Sequence, residues 1–414
     1  MKVLFTGPIL DFSGFAHASR NFLQMLNEDK RIELVARALV YDKLDEGQDF
    51  IAPDWLNNLM DKPLSNIDMV LQMTTCNVEA VPVNGVVNGL YTFFETDRIQ
   101  PSWANKANEF DFLIVPSKHN AHTLIRSGVV KPILVAPPPC NKDVYQKTYE
   151  PFEIKNAENR TIFYNVCQLT TKKGIDILLR AYYAAFAGMP NEALLVLKTY
   201  INMYDRSNDL DTISRYVKDI RSRCRIPVQN HPPVLILPYT MTDEEINQLH
   251  VRGDVYVCSS RAEGWGIPVF DALAHGKTVI SPDKGGLADF VNNNNALVVG
   301  GCHTFCFDIN HQDPGLFTGI EQVFEPSPVE IAAHMQQYHL LKKAAEAGNL
   351  NDNGKKEWQS IIDKRNNALT LAQKFDFRTM HDKVVDQLLA VHKSWKETGV
   401  ATYDNKSDSI ESKL

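Results

Sequence analysis

Short apolar runs alternate with helical patterns along two successive stretches of this 414-residue chain. In the first stretch the pattern predicts strands at 3–6, 32–39, 69–73, 90–94, 112–115 and 133–135, with helices at 16–26 and 118–125. Pro137-Pro138-Pro139 and the polar stretch 141–160 then interrupt it, as a hinge or linker would. Beyond the break, strands are expected at 162–167, 194–198, 234–237, 255–258, 279–281 and 297–299, and helices at 175–187, 210–223 and 243–250. Alternation of this kind builds a parallel sheet wound on both faces. A single core stops growing at ~250 to 300 residues, so two such units are the default for this length.

Composition narrows the class. A hydrophobic content of 44% and a charged content of 22% are those of a globular protein. The net charge of −7 supplies no basic field for nucleic acid or an anionic membrane, which argues against a nucleic-acid acceptor. No apolar run approaches the roughly 20 residues of a membrane span, and Met1 to Gly7 reads as a first strand, so a cytoplasmic location is expected. Seven cysteines without a CxxC pair agree with a reducing compartment. Cys302, His303, Cys306 and His311 come nearest to metal-ligand spacing but lack a second matching pair, and the segment reads as a loop beside a strand. His17, His119, His122 and His275 have no spacing that argues for ligation, and no metal site is expected.

The chemistry concentrates at Ser259-Ser260-Arg261-Ala262-Glu263-Gly264-Trp265-Gly266-Ile267-Pro268-Val269-Phe270-Asp271. A buried strand precedes this run and a packed helix follows it, with Pro268 in the first helical turn where its missing N–H costs nothing. Gly264 and Gly266 let the backbone approach a ligand, and the first N–H groups of the helix form an anion site. Glu263 and Asp271 cannot serve a diphosphate by charge; as acceptors they suit the hydroxyls of a sugar and a ribose. Taken singly, each is also compatible with a solvated loop acid or a helix cap. A second locus is the 163–179 segment, in which Lys172 and Lys173 stand before Gly174 at a helix start. Cations there oppose the helix dipole, which favours an anionic ligand as the explanation.

The spacing of acid, seven residues, acid around the glycine turn resembles that of retaining glycosyltransferases of family four (glycosyl transferases group 1). The resemblance runs from Met1 to about Val299. It implies a GT-B fold, α/β, with two Rossmann-like domains facing each other across a cleft. Residues 1–150 would form the N-terminal, acceptor-side domain and 151–375 the nucleotide-sugar-binding domain. Residues 376–400 would be a C-terminal helix packing back on the first domain, with a flexible tail at 401–414.

The same likeness assigns Glu263 to the donor sugar, Asp271 to the ribose, and Gly264, Trp265 and Gly266 to the sugar and phosphates. Lys173 matches the family lysine. The usual arginine five residues earlier is Gln168 here, with Lys172 a replacement charge, and Asp271 is one methylene shorter than the usual glutamate. Gly14, in the loop after the first strand, occupies the place of the family's first glycine loop. Glu95, beyond the strand expected at 90–94, resembles the acid of one branch of the family and would orient an acceptor hydroxyl or hold the donor sugar; a structural salt bridge is the other reading. The expected activity is transfer of a sugar from a nucleoside-diphosphate sugar to a hydroxyl acceptor with retention, without cofactor or metal. A phosphorylase using orthophosphate and an inactive sugar-nucleotide-binding protein are the alternatives.

Overall fold

The computed structural model describes residues 1–39, 50–76, 80–201, 207–307, 309 and 315–402. The chain divides into two compact units: Met1–Phe94, Arg98–Asn141 and Lys374 onward form the first, and Glu95–Asp97 with Lys142–Gln373 the second.

The first unit runs β1 (Lys2–Gly7), α1 (Gly14–Asn27), β2 (Glu33–Ala38), α2 (Asp54–Met60), β3 (Met69–Met73), β4 (Val87–Tyr91), α3 (Pro101–Ala107), β5 (Phe112–Val115), α4 (Lys118–Arg126) and β6 (Ile133–Val135). The six strands form one parallel sheet in the order β2-β1-β3-β4-β5-β6. Residues 69–73, 87–91 and 112–115 are buried throughout, as strands covered on both faces must be. Ser13 caps α1 by accepting from the Ala16 N–H at 3.0 Å, and Ser117 caps α4 in the same way. The strand expected at 90–94 ends at Tyr91. Past it, the Asn120 side chain accepts the Phe94 N–H at 2.6 Å, and Phe93 turns to stack on the Tyr91 ring.

The second unit begins with α5 (Lys142–Gln146) and continues through β7 (Thr161–Gln168), α6 (Ile175–Phe186), β8 (Ala193–Tyr200), α7 (Asp209–Arg223), β9 (Val234–Leu237), α8 (Asp243–Arg252), β10 (Val255–Val257), α9 (Ile267–Ala274), β11 (Thr278–Ser281) and β12 (Leu297–Val298). A hairpin of β13 (Gly301–Phe305) and β14 (Gln322–Pro326) follows, then α10 (Pro328–Glu346), α11 (Asp352–Ala368) and the short α12 (Leu371–Lys374). The main sheet is parallel, in the order β12-β11-β10-β7-β8-β9. Its core joins Phe163, Leu178, Tyr182 and Phe186 to Leu195, Val257 and the α10 residues Ile331 and Met335.

Of the stretch expected to act as a hinge or linker, 141–160, all but Asn141 falls in this second unit. It contains α5, buries Tyr149 and Ile154, and ties the Phe152 N–H to the Gln248 carbonyl at 3.1 Å. The last helix, α13 (Phe377–Thr398), belongs to the first unit. It packs against α1 through a stripe that buries Val384, Val385 and Leu388, and Asp386 pairs with Arg31 at 2.8 Å. Ala401 is still buried, so the tail expected from 401 is packed at its start; the rest of it, from 403 on, lies outside the described residues.

Candidate active site

In the second unit the strand order reverses between β7 and β10. From β7 the chain proceeds outward through β8 and β9, and from β10 it proceeds the other way through β11 and β12. β7 and β10 are parallel neighbours, Phe163 opposite Val255 and Tyr164 opposite Tyr256, so the loops leaving their carboxyl ends diverge and leave a crevice.

The loop after β7 makes one 3-10 turn, Thr171–Lys173, and reverses through Gly174. Gly174 has φ +63°, and a Cβ there would lie 2.0 Å from the Ser259 carbonyl oxygen. Glycine is therefore needed both for the left-handed backbone and for the approach of the neighbouring loop. The loop after β10 ends at Gly266, φ +93°, from which α9 starts with Pro268 in its first turn.

These two loops bring Lys173 and Glu263 together: Nζ donates to Oε1 at 2.7 Å, and the same Oε1 accepts from the Ser260 hydroxyl at 2.7 Å. Burial works against the Lys173 ammonium, but the charges of Glu263 and Glu95 and the Glu263 hydrogen bond outweigh it and hold its pKa above the ordinary lysine value. Lys172 pairs with Glu95 Oε1 at 2.9 Å. Glu95 is placed there by its neighbour Asp97, which accepts the Gln322 N–H at 2.6 Å and returns its own N–H to the Gln322 carbonyl at 3.3 Å.

Asp271 sits in the second turn of α9, where its Oδ1 accepts from the Tyr145 hydroxyl at 2.7 Å. Burial pushes its carboxyl up to about 7, with the Tyr145 hydrogen bond pulling down and Asp243 adding to the rise. Tyr145 also meets Phe270 and His275 edge-on, so α5 forms an aromatic wall beside α9.

The structure thus groups Lys172, Lys173, Glu95, Glu263, Gly264, Gly266 and Asp271 around the ends of β7 and β10. The Trp265 indole is buried against Phe290 and Phe270, centroids 4.7 and 6.2 Å away, so its ring is part of the core. Gln168 is tied to the Ile201 carbonyl at 2.8 Å. Gly14 opens α1 in the first unit, after β1, where the order β2-β1-β3 likewise reverses.

Several site residues escape a reading of the sequence. Gly286 donates its N–H to the Glu263 carbonyl at 2.8 Å and approaches so closely that a Cβ would lie 1.9 Å from the Gly264 carbonyl oxygen. The Gly285-Gly286 pair after β11 is the signal that could have found it. Tyr145 and Asp97 carry no local signal and matter through partners distant in sequence, Asp271 and Gln322, whereas Ser260 acts on Glu263 only three residues on.

The segment read as a loop around Cys302 is instead β13, paired antiparallel with β14, because residues 301–305 find a complementary strand at 322–326. Cys302 is exposed, while the buried Cys306 thiol donates to Glu321 Oε2 at 3.2 Å. His311 lies outside the described residues. Among the described residues no group of three or more His, Cys, Asp or Glu could hold a metal ion, and no helix is long and apolar enough to cross a membrane.

Residues 229–338, which include the β10–α9 loop, match the family described as glycosyl transferases group 1. No curated protein sequence matches the chain. Among solved structures, Alr3699/HepE of Anabaena in complex with UDP and glucose is similar with a TM-score of 0.59 at 17% identity, covering 94% of this chain and 99% of that one. A UDP-forming α,α-trehalose-phosphate synthase from Burkholderia xenovorans, in complex with glucose-6-phosphate, gives 0.64 at 10% identity, covering 94% and 100%. The shared architecture is the GT-B fold.

Proposed function

We propose that this glycosyltransferase of group 1, GT-B type, moves a sugar from a nucleoside-diphosphate sugar to a hydroxyl acceptor with retention of anomeric configuration. The observation that carries the reading is the Lys173–Glu263 pair. A cation and a carboxylate from two adjacent strand ends meet at 2.7 Å beside the N-terminus of α9. The donor's two polar parts, an anionic diphosphate and a hydroxylated sugar, require those two kinds of group side by side.

In this scheme the diphosphate lies over the start of α9, where N–H groups and the positive end of the helix dipole receive it. As the bond to the anomeric carbon lengthens, negative charge collects on the leaving diphosphate, and Lys173 and Lys172 stabilise it where water is thin. Glu263 keeps Lys173 ionised through Oε1, while its Oε2 accepts from a sugar hydroxyl. Asp271 accepts from the ribose, and Glu95 orients the acceptor hydroxyl or the sugar. The backbone of Gly264, Trp265 and Gly266 lines the sugar and phosphates. The scheme uses no metal, because lysines and a helix terminus carry the diphosphate charge.

The UDP and glucose bound to HepE support the donor class for a protein of this fold. The direct test is a thermal-shift panel of UDP-, GDP- and ADP-sugars, followed by measurement of acceptor-dependent nucleoside-diphosphate release and the anomeric configuration of the product. A ligand at 100 times its Kd stabilises by ~2.7 kcal/mol, which such a panel detects. Release that required orthophosphate instead of a hydroxyl acceptor would establish a phosphorylase. Binding without any release would leave a sugar-nucleotide-binding protein.

A further inference from the structure

Arg261 lies two residues before Glu263 on the site loop, yet its side chain turns to other partners. All five of its N–H donors are used elsewhere. Nε donates to Glu325 Oε2 at 2.5 Å, one terminal nitrogen to the Thr171 carbonyl at 2.6 Å and Asp176 Oδ1 at 2.9 Å, and the other to Asp176 Oδ2 at 2.9 Å and Glu325 Oε1 at 3.2 Å. With two carboxylates on it and no donor left, Arg261 is not a substitute cation for the position held by Gln168.

Its geometry serves another purpose. The Arg261 guanidinium holds the Thr171 carbonyl, its backbone N–H holds the Lys172 carbonyl at 2.8 Å, and the hydroxyl of Ser259, two residues back, holds the Lys173 carbonyl at 3.1 Å. Three consecutive carbonyls of the lysine turn are thus fastened to the β10 loop. The far side is fastened too, since the Arg261 carbonyl accepts from the Phe324 N–H at 2.9 Å in β14, the strand that also supplies Glu325.

We propose that Arg261 is a positioning residue for the lysine pair, with Ser259 as its auxiliary: together they fix the Thr171–Lys173 turn so that both ammonium groups are held ready for the donor diphosphate. The inference rests on the donor-site reading above. A planar fork is required because one side chain must reach a carbonyl and two carboxylates at once, which a lysine cannot do. Positioning matters because a displacement of about 1 Å at a reacting centre costs ~100-fold in rate.

The test is a double-mutant cycle on the full chain with Arg261→Met, Lys173→Ala and the pair, read as kcat, KM and affinity for UDP, GDP and ADP. Arg261→Met should lower kcat ~10- to 100-fold, and in the Lys173→Ala background it should cost less than about twofold, because the group it positions is already gone. Arg261→Lys should not restore the rate. Losses that multiply across the cycle would overturn the proposal and leave Arg261 with a general packing role. Where Arg261→Met does not fold, Ser259→Ala takes its place in the same cycle, with a smaller loss and the same expected coupling. A parent protein that turns over while the losses multiply defeats the positioning role alone. A parent that binds none of the three nucleotides and releases none from their sugars defeats the donor-site reading itself, and the inference with it.

Discussion

Lys173 Nζ and Glu263 Oε1, 90 residues apart in the chain, lie 2.7 Å apart at the point where the second sheet reverses its strand order. Glu263 helps hold Lys173 in its charged form in a place where burial disfavours that charge. Two unit charges 4 Å apart attract by about 4 kcal/mol at an effective dielectric of about 20, against about 1 kcal/mol in bulk water. A donor diphosphate must therefore draw Lys173 toward itself without expelling Glu263, which a sugar hydroxyl on Oε2 would allow.

Lys173→Ala should lower turnover more than it weakens donor binding, because the charge on the diphosphate is greatest in the transition state. A charge-assisted contact contributes about 1.5–3 kcal/mol, so kcat should fall roughly ten- to a hundredfold. Equal kcat in the variant and the parent would remove Lys173 from the chemistry.

Glu263→Gln should move the alkaline limb of the pH–rate profile to lower pH. Burial alone depresses the Lys173 pKa, and Glu263 is the largest influence opposing it, so a neutral amide leaves the ammonium easier to deprotonate. An alkaline limb unchanged in the variant would show that the limb does not report Lys173.

On the proposed ribose contact, nucleotide affinity should rise with pH through about 7, because the Asp271 carboxyl would accept a hydroxyl best when ionised. Tyr145→Phe should shift that rise upward, since the tyrosine hydrogen bond lowers the pKa. Calorimetric titration with UDP at several pH values is the measurement, and a pH dependence that persisted in Asp271→Asn would locate its origin elsewhere.

Acid should destabilise the second unit through its stacked histidines. His250 and His275 lie 5.3 Å apart, and burial depresses both, His250 well below its ordinary value and His275 to about 4. Both are neutral in the fold while the unfolded chain takes up protons below about 6.5. Stability is therefore fully present above that pH and declines as pH falls from about 6.5 toward 4. His275→Gln should narrow the difference between denaturation midpoints at pH 7 and pH 5; an undiminished gap would clear His275.

Gly174→Ala should destabilise more than an ordinary surface change. The left-handed backbone costs about 1–2 kcal/mol for an L-residue, and the added Cβ meets the Ser259 carbonyl oxygen at 2.0 Å. Since about 1 kcal/mol lowers Tm by ~2–4 °C in a domain of this size, a drop of several degrees is expected, together with loss of turnover as the lysine turn shifts.

Much of the fold was legible because its signal is local. The strands at 69–73, 112–115, 133–135 and 234–237 have the expected limits, being apolar runs, broken only by Gln72 in the first. The strand expected at 90–94 stops at Tyr91 because Phe93 and Phe94 are apolar for a different reason, packing on Tyr91 and Trp103 beyond the strand. The segment at 301–305 is exposed, so it lacks the apolar pattern that marks a buried strand, and only its pairing with 322–326 makes it one.

The sequence by itself determined the local parts of the candidate site: the lysine turn before Gly174 and the two acids around the turn of Gly264 and Gly266 follow from residue type and spacing, and Glu95 was picked out by the family resemblance. Tertiary structure alone decided the partners. Glu95 meets Lys172 across 77 residues, Arg261 meets Asp176 across 85, and Tyr145 meets Asp271 across 126. The Trp265 indole is in the core because Phe270 and Phe290 close over its ring. The physical reason is that helical and strand periodicity record which side of an element is buried, whereas an ion pair or hydrogen bond between loops depends on which strands are neighbours. That is fixed only when β10 returns to lie beside β7.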